Sequence, residues 1–247
     1  MAHTSTLSRL TSEESTTEQP YRNLVGSLMY IMTSTRPDLA VPVSQLGQYM
    51  ARPGPAHWNA AKRVVRYLKG TDDLGLCFSK DASINPSNVI VAYSDADWGT
   101  DTDDRKSYTG YAVFLGNSLV SWKCKKQTAV ALSTAEAEYM AVSMTALEVI
   151  WLRNVLSDLG LPQQGPSVIY CDNRSCIHMA NNDSTGPRTK HIAIKYHFIK
   201  DQIAAGNIVL QYVPSIDNIA DFLTKPLVGE RFVRMREELL LRRTTGV

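Results

Sequence analysis

Val89-Ile-Val-Ala-Tyr-Ser-Asp95 is a β-branched and aromatic run that ends on an aspartate, and Ser167-Val-Ile-Tyr-Cys-Asp172 repeats the arrangement downstream. Val89 to Ser94 and Ser167 to Cys171 both read as short buried strands. If the two pair in parallel, Asp95 and Asp172 meet at the carboxyl ends, where open α/β sheets hold their ligands. Around them Leu74 to Ser79, Tyr108 to Leu115 and Ser118 to Cys124 also read as strands, the last two joined by a tight Gly116-Asn117 turn. Thr134 to Gly160 is a long helix, apolar on much of its circumference and so expected to pack on more than one side. Asn173 to Ala180 and His191 to Ala205 read as helices and Ile208 to Val213 as a strand. Ile216 to Leu223 reads as a helical segment and Gly229 to Leu241 as a final amphipathic helix. Three adjoining strands followed by helix, strand, helix, strand, helix predict an α/β fold with a mixed five-stranded sheet flanked by helices.

Upstream the texture differs. Met1 to Gln19 is rich in Ser and Thr, with Leu7 and Leu10 its only sizeable apolar side chains, a composition that does not offset ordering entropy. From Tyr21 onward Leu24, Val25, Leu28 and Met32 recur at helical spacing. Arg36-Pro37-Asp38 breaks the run before a second apolar stretch that ends near Met50. Pro53-Gly54-Pro55 opens a third helix with Ala61, Val64, Val65 and Leu68 on one face and Gly70 at its end. The expected division is a flexible leader over residues 1–20, a small helical region over 21–80 and the α/β domain over 81–247.

With 247 residues, 44% hydrophobic and 20% charged, the chain has the composition of a globular protein. Lys and Arg total 26 against 24 Asp and Glu, so any electrostatic signal is local. Cys77, Cys124, Cys171 and Cys176 form no C-x-x-C pair and sit beside no His at zinc-finger spacing, which speaks against a disulfide framework and structural zinc. The start has no apolar signal region, and no stretch of ~18 uncharged apolar residues follows. An intracellular protein without membrane contact is the simplest expectation.

Four carboxylates stand where this architecture gathers them: Asp95 and Asp172 past strands, Glu138 one turn into the long helix, and Asp221 late in the chain. A single aspartate after a strand more often starts a loop, and a single acid in a first helical turn more often caps it. Crowded carboxylates, however, raise one another's pKa values, so a fold keeps such a group mainly where cations neutralise it. All-oxygen ligands suit Mg²⁺ or Mn²⁺. Helical periodicity leaves Glu136 and Glu138 as equal candidates, and Asp97, Asp101, Asp103 and Asp104, followed by Arg105-Lys106, read as a solvated loop. His178 reads as structural.

Three basic tracts are candidates for phosphate contact: Lys62, Arg63 and Arg66 on the third helix, Lys123, Lys125 and Lys126 around Trp122, and Arg188, Lys190, His191 and Lys195 in a stretch without acids. For each the default is a solvated face, and for Trp122 a place in the core.

Tyr-Arg-Asn-Leu-Val-Gly-Ser-Leu-Met-Tyr from Tyr21, Thr-Arg-Pro-Asp-Leu-Ala from Thr35 and His-Trp-Asn-Ala-Ala-Lys-Arg-Val-Val-Arg-Tyr-Leu-Lys-Gly-Thr from His57 are followed by Tyr-Ser-Asp-Ala-Asp-Trp-Gly from Tyr93. Then come Asp-Asp-Arg-Lys-Ser from Asp103, Leu-Ser-Thr-Ala-Glu-Ala-Glu-Tyr-Met-Ala from Leu132, Cys-Asp-Asn from Cys171, Arg-Thr-Lys-His-Ile from Arg188, Tyr-His-Phe-Ile from Tyr196 and Ala-Asp-Phe-Leu-Thr-Lys from Ala220. In this order they resemble the C-terminal part of the Pol polyprotein of copia-type LTR retrotransposons, over nearly everything after Pro20. The resemblance implies a reverse transcriptase thumb or connection tail to about Lys80, followed by a ribonuclease H-like domain. It implies Asp95, Glu138, Asp172 and Asp221 as catalytic and metal-binding residues, choosing Glu138 over Glu136 because Tyr-Met-Ala follows it. It also implies two Mg²⁺ ions ~4 Å apart, bridged by Asp95, and hydrolysis of the RNA strand of an RNA–DNA hybrid. The upstream polymerase domain would be a partner, with a cytoplasmic virus-like particle and the nucleus as locations.

The polymerase's Asp-Asp motif preceded by Tyr-Val is missing, since Asp72-Asp73 and Asp103-Asp104 lack that context, so DNA synthesis by this chain alone is not expected. The histidine that many ribonucleases H carry before the last aspartate is absent from Val213 to Ala220. The rival expectations are a non-catalytic RNA- or DNA-binding connection module and a host-adopted or degenerate fragment. An integrase-type nuclease would need a later helix glutamate, and none lies between Asp172 and Asp221.

Overall fold

The computed structural model describes residues 7–11, 14–78, 88–101, 103–181, 193–239 and 241–243. Its centre is a mixed five-stranded sheet in the order β4-β3-β2-β5-β6, formed by β2 (Ile90–Ala96), β3 (Tyr108–Leu115), β4 (Ser118–Lys126), β5 (Ser167–Cys171) and β6 (Ile208–Tyr212). The first three run antiparallel, whereas β5 lies parallel to β2 and β6 parallel to β5. Tyr93 pairs with Tyr170 and Ser94 with Cys171, so the two strands that end on aspartates are neighbours in register. This is the expected mixed sheet of a ribonuclease H-like fold.

Pleat alternation divides the sheet's side chains between two cores. On one face Ala92, Val113 and Ile169 pack under α4 (Thr134–Asp158), with α5 (Arg174–Asn181) and α6 (Ala193–Ala204) alongside. Although α4 packs on more than one side, Leu147, Trp151 and Leu159 stay exposed. On the other face Ala112, Phe114 and Leu119 share a core with Val25 and Leu28 of α1 (Tyr21–Ser34), Val43 and Leu46 of α2 (Ala40–Gly47), and Ala61 and Val64 of α3 (Pro55–Lys69). The N-terminal helices therefore cover the second face of the sheet.

Between α1 and α2 the chain turns through a short 3-10 stretch, Pro37–Leu39, where buried Arg36 grips Asp38 and both Thr71 Oγ1 and the Thr71 carbonyl. Tyr67 donates to Asp38 from α3 at 2.6 Å. A buried pair satisfied in this way holds its geometry because loss of either partner strands the other charge.

Among the described residues of the expected leader, the Leu7 carbonyl accepts from Tyr49 and the Ser8 carbonyl lies 2.9 Å from His57 Nε2. Two expectations change. The final helix, expected through Leu241, is α7 (Gly229–Glu238), after which Leu241–Arg243 forms β7 against β1 (Leu74–Leu76). Leu239 and Leu241 are buried on either side of the switch, so apolar burial continues while the backbone changes form. The helical segment expected over Ile216 to Leu223 is a 3-10 turn of five residues, Ile219–Leu223.

Candidate metal centre

Each carboxylate is delivered by a separate element. Asp95 lies near the end of β2 and is fully buried; Asp172 follows β5 directly and is partly exposed. Asp221 sits in the 3-10 turn, with Asn218 Oδ1 accepting from Ala220 N at 3.2 Å. Glu138 comes from the second turn of α4, and Glu136 is occupied at the helix start. Ser133 Oγ accepts from Glu136 N, and Glu136 Oε2 accepts from Leu132 N at 2.9 Å. Such caps hold a helix start by ~1 kcal/mol and leave Glu138 as the side chain that enters the centre.

The four carboxylates and Cys171 fall into two overlapping groups. Ligand atoms of Asp95, Asp172 and Asp221 all lie within 4.8 Å of one another, as do those of Glu138, Cys171 and Asp172. Asp172 is the member the two groups share, and Asp95, expected as the bridging ligand, belongs to the first. Cys171 joins the centre as well, its Sγ 3.9 Å from Glu138 Oε2.

Two basic side chains that sequence reasoning missed face this cluster. Lys225 Nζ lies 3.3 Å from Asp95 Oδ1 and also grips Asp221, and Arg231 binds the other oxygen of Asp221. Thr224 Oγ1 donates to Asp95 and Ser215 Oγ to Asp172. The Ala220-Asp-Phe-Leu-Thr-Lys225 motif held the signal: Lys225 follows Asp221 by one helical turn. Asp95 is pushed up from its ordinary value, mainly by burial, with Lys225 pulling the other way. Burial and the Asp95 charge raise Glu138 as well.

Gly110 makes the arrangement possible. It pairs with Asp95 across the sheet, and a Cβ built on it would stand 2.6 Å from Thr224 Cγ2 and 3.0 Å from the Leu223 carbonyl carbon. Its missing side chain lets the Asp221–Thr224 turn settle directly on the strand.

The acidic loop is less solvated than expected. Asp97 is buried and accepts from Tyr108 N and Thr100 Oγ1; Asp101 and Asp104 bind Lys126 at 2.6 and 2.9 Å. Lys126 is therefore committed inside the fold. Trp122 leans on the second core and donates to the Met32 carbonyl at 2.9 Å, which takes it out of any stacking role. Lys123 and Lys125, on the other side of the pleat, are exposed, as are Lys62, Arg63 and Arg66 along α3. Arg188, Lys190 and His191 lie outside the described residues, as does the side chain of Lys195.

Two neighbouring cavities lie between Lys225 and α3. The first, of about 260 Å³, is lined by Lys225, Phe222, Pro42 and Gln45; the second, of about 340 Å³, by Pro42, Gln45, Arg63 and Arg66. Pro42 and Gln45 line both. Among the described residues no helix is long and apolar enough to cross a membrane.

Fold and centre together define a ribonuclease H-like α/β protein with a carboxylate cluster at the ends of its parallel strands. No family model matches the chain. The chain is 46% identical over 207 residues to the retrovirus-related Pol polyprotein from transposon RE2 of Arabidopsis thaliana, covering 84% of this chain and 14% of that protein. It therefore spans about one seventh of that relative's length. The fold resembles LC11-RNase H1, isolated from compost, at 18% identity and a TM-score of 0.42, covering 56% of this chain and 93% of that one. It also resembles the foamy viral protease-reverse transcriptase solved with an RNA/DNA hybrid, at 12% identity and a TM-score of 0.50, covering 90% of this chain and 29% of that one. The chain belongs to the Pol polyproteins of copia-type retrotransposons.

Proposed function

We propose that this chain is a nuclease that hydrolyses the RNA strand of RNA–DNA hybrids during retrotransposon reverse transcription, acting beside the polymerase domain of the same polyprotein. The observation that carries this reading is the convergence of Asp95, Glu138, Asp172 and Asp221 from four separate elements onto one end of the parallel strands. A buried cluster of this composition fits hard divalent cations, Mg²⁺ first and Mn²⁺ second. When bound, such ions supply an activated water and charge stabilisation for the departing oxygen of a phosphodiester.

The chain's own residues do the remainder. Asp172, at the rim, receives Ser215's hydrogen bond, which fixes the carboxylate that both groups share. Lys225, partly exposed, holds Asp95 and Asp221 together and lines the first cavity. A phosphate chain running past both cavities would meet Lys225 at one end and Arg63 and Arg66 at the other, which fits duplex binding through the backbone. Contacts to 2′-hydroxyls across the wide minor groove would select the RNA strand.

Labelled RNA–DNA hybrid, duplex DNA and duplex RNA, each with Mg²⁺ or chelator, test the reading beside Asp172→Asn. Cleavage of the hybrid alone, dependent on Mg²⁺ and reduced on the order of 10³-fold or more in the variant, is expected for a residue set that acts as a unit. Cleavage unaffected by chelator, or equal in the variant, sinks it. A binding module without cleavage is the second reading, favoured by Lys225 and Arg231, which neutralise Asp221 without any ion. Hybrid binding with no Mg²⁺-dependent product would establish it.

A further inference from the structure

The Glu138–Cys171–Asp172 group differs in kind from its neighbour, because one of its three ligand atoms is sulfur. Cys171 is the last residue of β5 and is fully buried. Its Sγ accepts the Asn173 N–H at 3.4 Å and faces Glu138 Oε2 at 3.9 Å, so the thiol is oriented by the loop rather than loose in the core.

A second, independent feature marks the same spot. Ser94 Oγ is completely buried and has no hydrogen-bond partner among the described residues. Ser94 pairs in register with Cys171 on parallel strands, and paired residues project from the same face of a sheet. That face, which also carries Ala92, Ala96 and Ile169, is the one α4 covers, and Glu138 enters from α4. A buried hydroxyl left unmatched costs roughly 1–3 kcal/mol, so an orphan on the face that carries the Cys171 thiol and that α4, with Glu138, covers points to a missing ligand.

Sulfur decides which ligand. Mg²⁺ and Ca²⁺ take oxygen donors, whereas thiolate combined with carboxylate selects Zn²⁺ and other thiophilic divalent ions. We infer that Glu138, Cys171 and Asp172, with Ser94 beside them, form a site for a thiophilic divalent cation of the Zn²⁺ class. Binding exchanges the thiol proton, released to solvent, for an ion–sulfur bond. Because Asp172 belongs to both groups, Zn²⁺ held here competes with Mg²⁺ for the same carboxylate and arrests the centre. This step rests on the reading of the cluster as a metal centre.

Co²⁺, a spectroscopic stand-in for Zn²⁺, tests the site in the intact chain without Mg²⁺. One equivalent should give the intense near-ultraviolet charge-transfer band that requires a cobalt–thiolate bond, and stoichiometric Zn²⁺ should abolish it. Cys171→Ser should remove the band and weaken Co²⁺ binding by more than ~10-fold, since losing a ligand costs more than losing an outer-shell partner. Cys176→Ser and Cys124→Ser should retain it. Absence of the band in the native chain, its survival in Cys171→Ser, or its loss only in Cys176→Ser overturns the assignment. If circular dichroism shows Cys171→Ser unfolded, Glu138→Gln serves instead: binding weakened about 10-fold with the band present supports the site, and unchanged affinity overturns it. The two readings separate cleanly. Mg²⁺-dependent hybrid cleavage without a cobalt band sinks only the thiophilic site, and a band without cleavage sinks only the nuclease.

Discussion

The two halves of the centre solve the problem of burying carboxylates in opposite ways. Asp95 and Asp221 are gripped by Lys225, Arg231 and Thr224, so the protein supplies its own counter-charge. Glu138, 6% exposed, has no ion pair among the described residues; it meets the Cys171 thiol, the Ala96 backbone N–H and the charges of Asp95 and Asp172. Desolvation without a cation favours the neutral acid, and that is the direction in which Glu138 is pushed. The first half is a salt-bridge network that doubles as a cation site, and the second is a cation site without a protein counter-charge of its own. Mutations should therefore separate them.

Asp221→Asn should destabilise the metal-free protein by about 2–3 kcal/mol, because Lys225 and Arg231 lose their shared partner. The figure is below that for a fully buried pair because those side chains are 38% and 37% exposed. Glu138→Gln should cost less than about 1 kcal/mol, since it breaks no ion pair among the described residues and burial already pushes this carboxyl toward its neutral form. Denaturant melts in chelator measure both; equal losses would break the contrast between the halves. Asp172→Asn, which belongs to both groups, should abolish hybrid cleavage while shifting the melt little.

Gly110→Ala attacks only the first half. The added methyl meets Thr224 and the Leu223 backbone, and overpacking of this sort costs about 1–3 kcal/mol. Because the Asp221–Thr224 turn must lift away from β2, Mg²⁺-dependent activity should fall further than the melting temperature implies. Activity that merely tracks the folded fraction would show that the turn is not held by this contact.

These contrasts also mark what the amino-acid order reveals. The carboxylates were legible because strand ends and a first helical turn are local features, readable from Val89 to Asp95, Ser167 to Asp172 and Ser133 to Glu138. The tie between Glu136 and Glu138 has a physical resolution in the Leu132 and Ser133 caps, which needs the backbone of the helix start. Lys225, Arg231, Cys171 and Gly110 were not legible as site residues. Lys225 and Gly110 acquire their roles where the late turn lands on β2 and β3, Arg231 where α7 folds back on that turn, and Cys171 where α4 brings Glu138 to the end of β5. The β7 strand was hidden for a different reason: three residues carry too short a period to distinguish from the end of a helix.

Arg63→Ala with Arg66→Ala probes whether the surface between Lys225 and α3 is a phosphate track. Hybrid affinity should fall several-fold, and the slope of log affinity against log salt should become shallower by about one to two counterions. Both side chains are exposed on α3, and circular dichroism establishes that the double variant is folded before its affinity is read. An unchanged salt slope would confine nucleic-acid contact to the centre itself, with Lys123 and Lys125 on β4 as the next surface to vary.

The smallest effect concerns Asp97, which shares the β2 end with Asp95 but lies outside both ligand groups. Burial pushes it up to about 6 against the hydrogen bonds from Thr100 and Tyr108 that lower it. Since its folded pKa exceeds the ordinary carboxylate value of 3.8, the folded state holds a proton between about pH 4 and 6 that the unfolded chain has released. Stability from this group is therefore greatest on the acid side and declines as pH rises through that window. Asp97→Asn, measured against the native chain in chelator, should flatten the decline by one proton. A decline that persists unchanged would shift its origin to Asp95 and Glu138, the carboxyls whose burial divides the centre into its two halves.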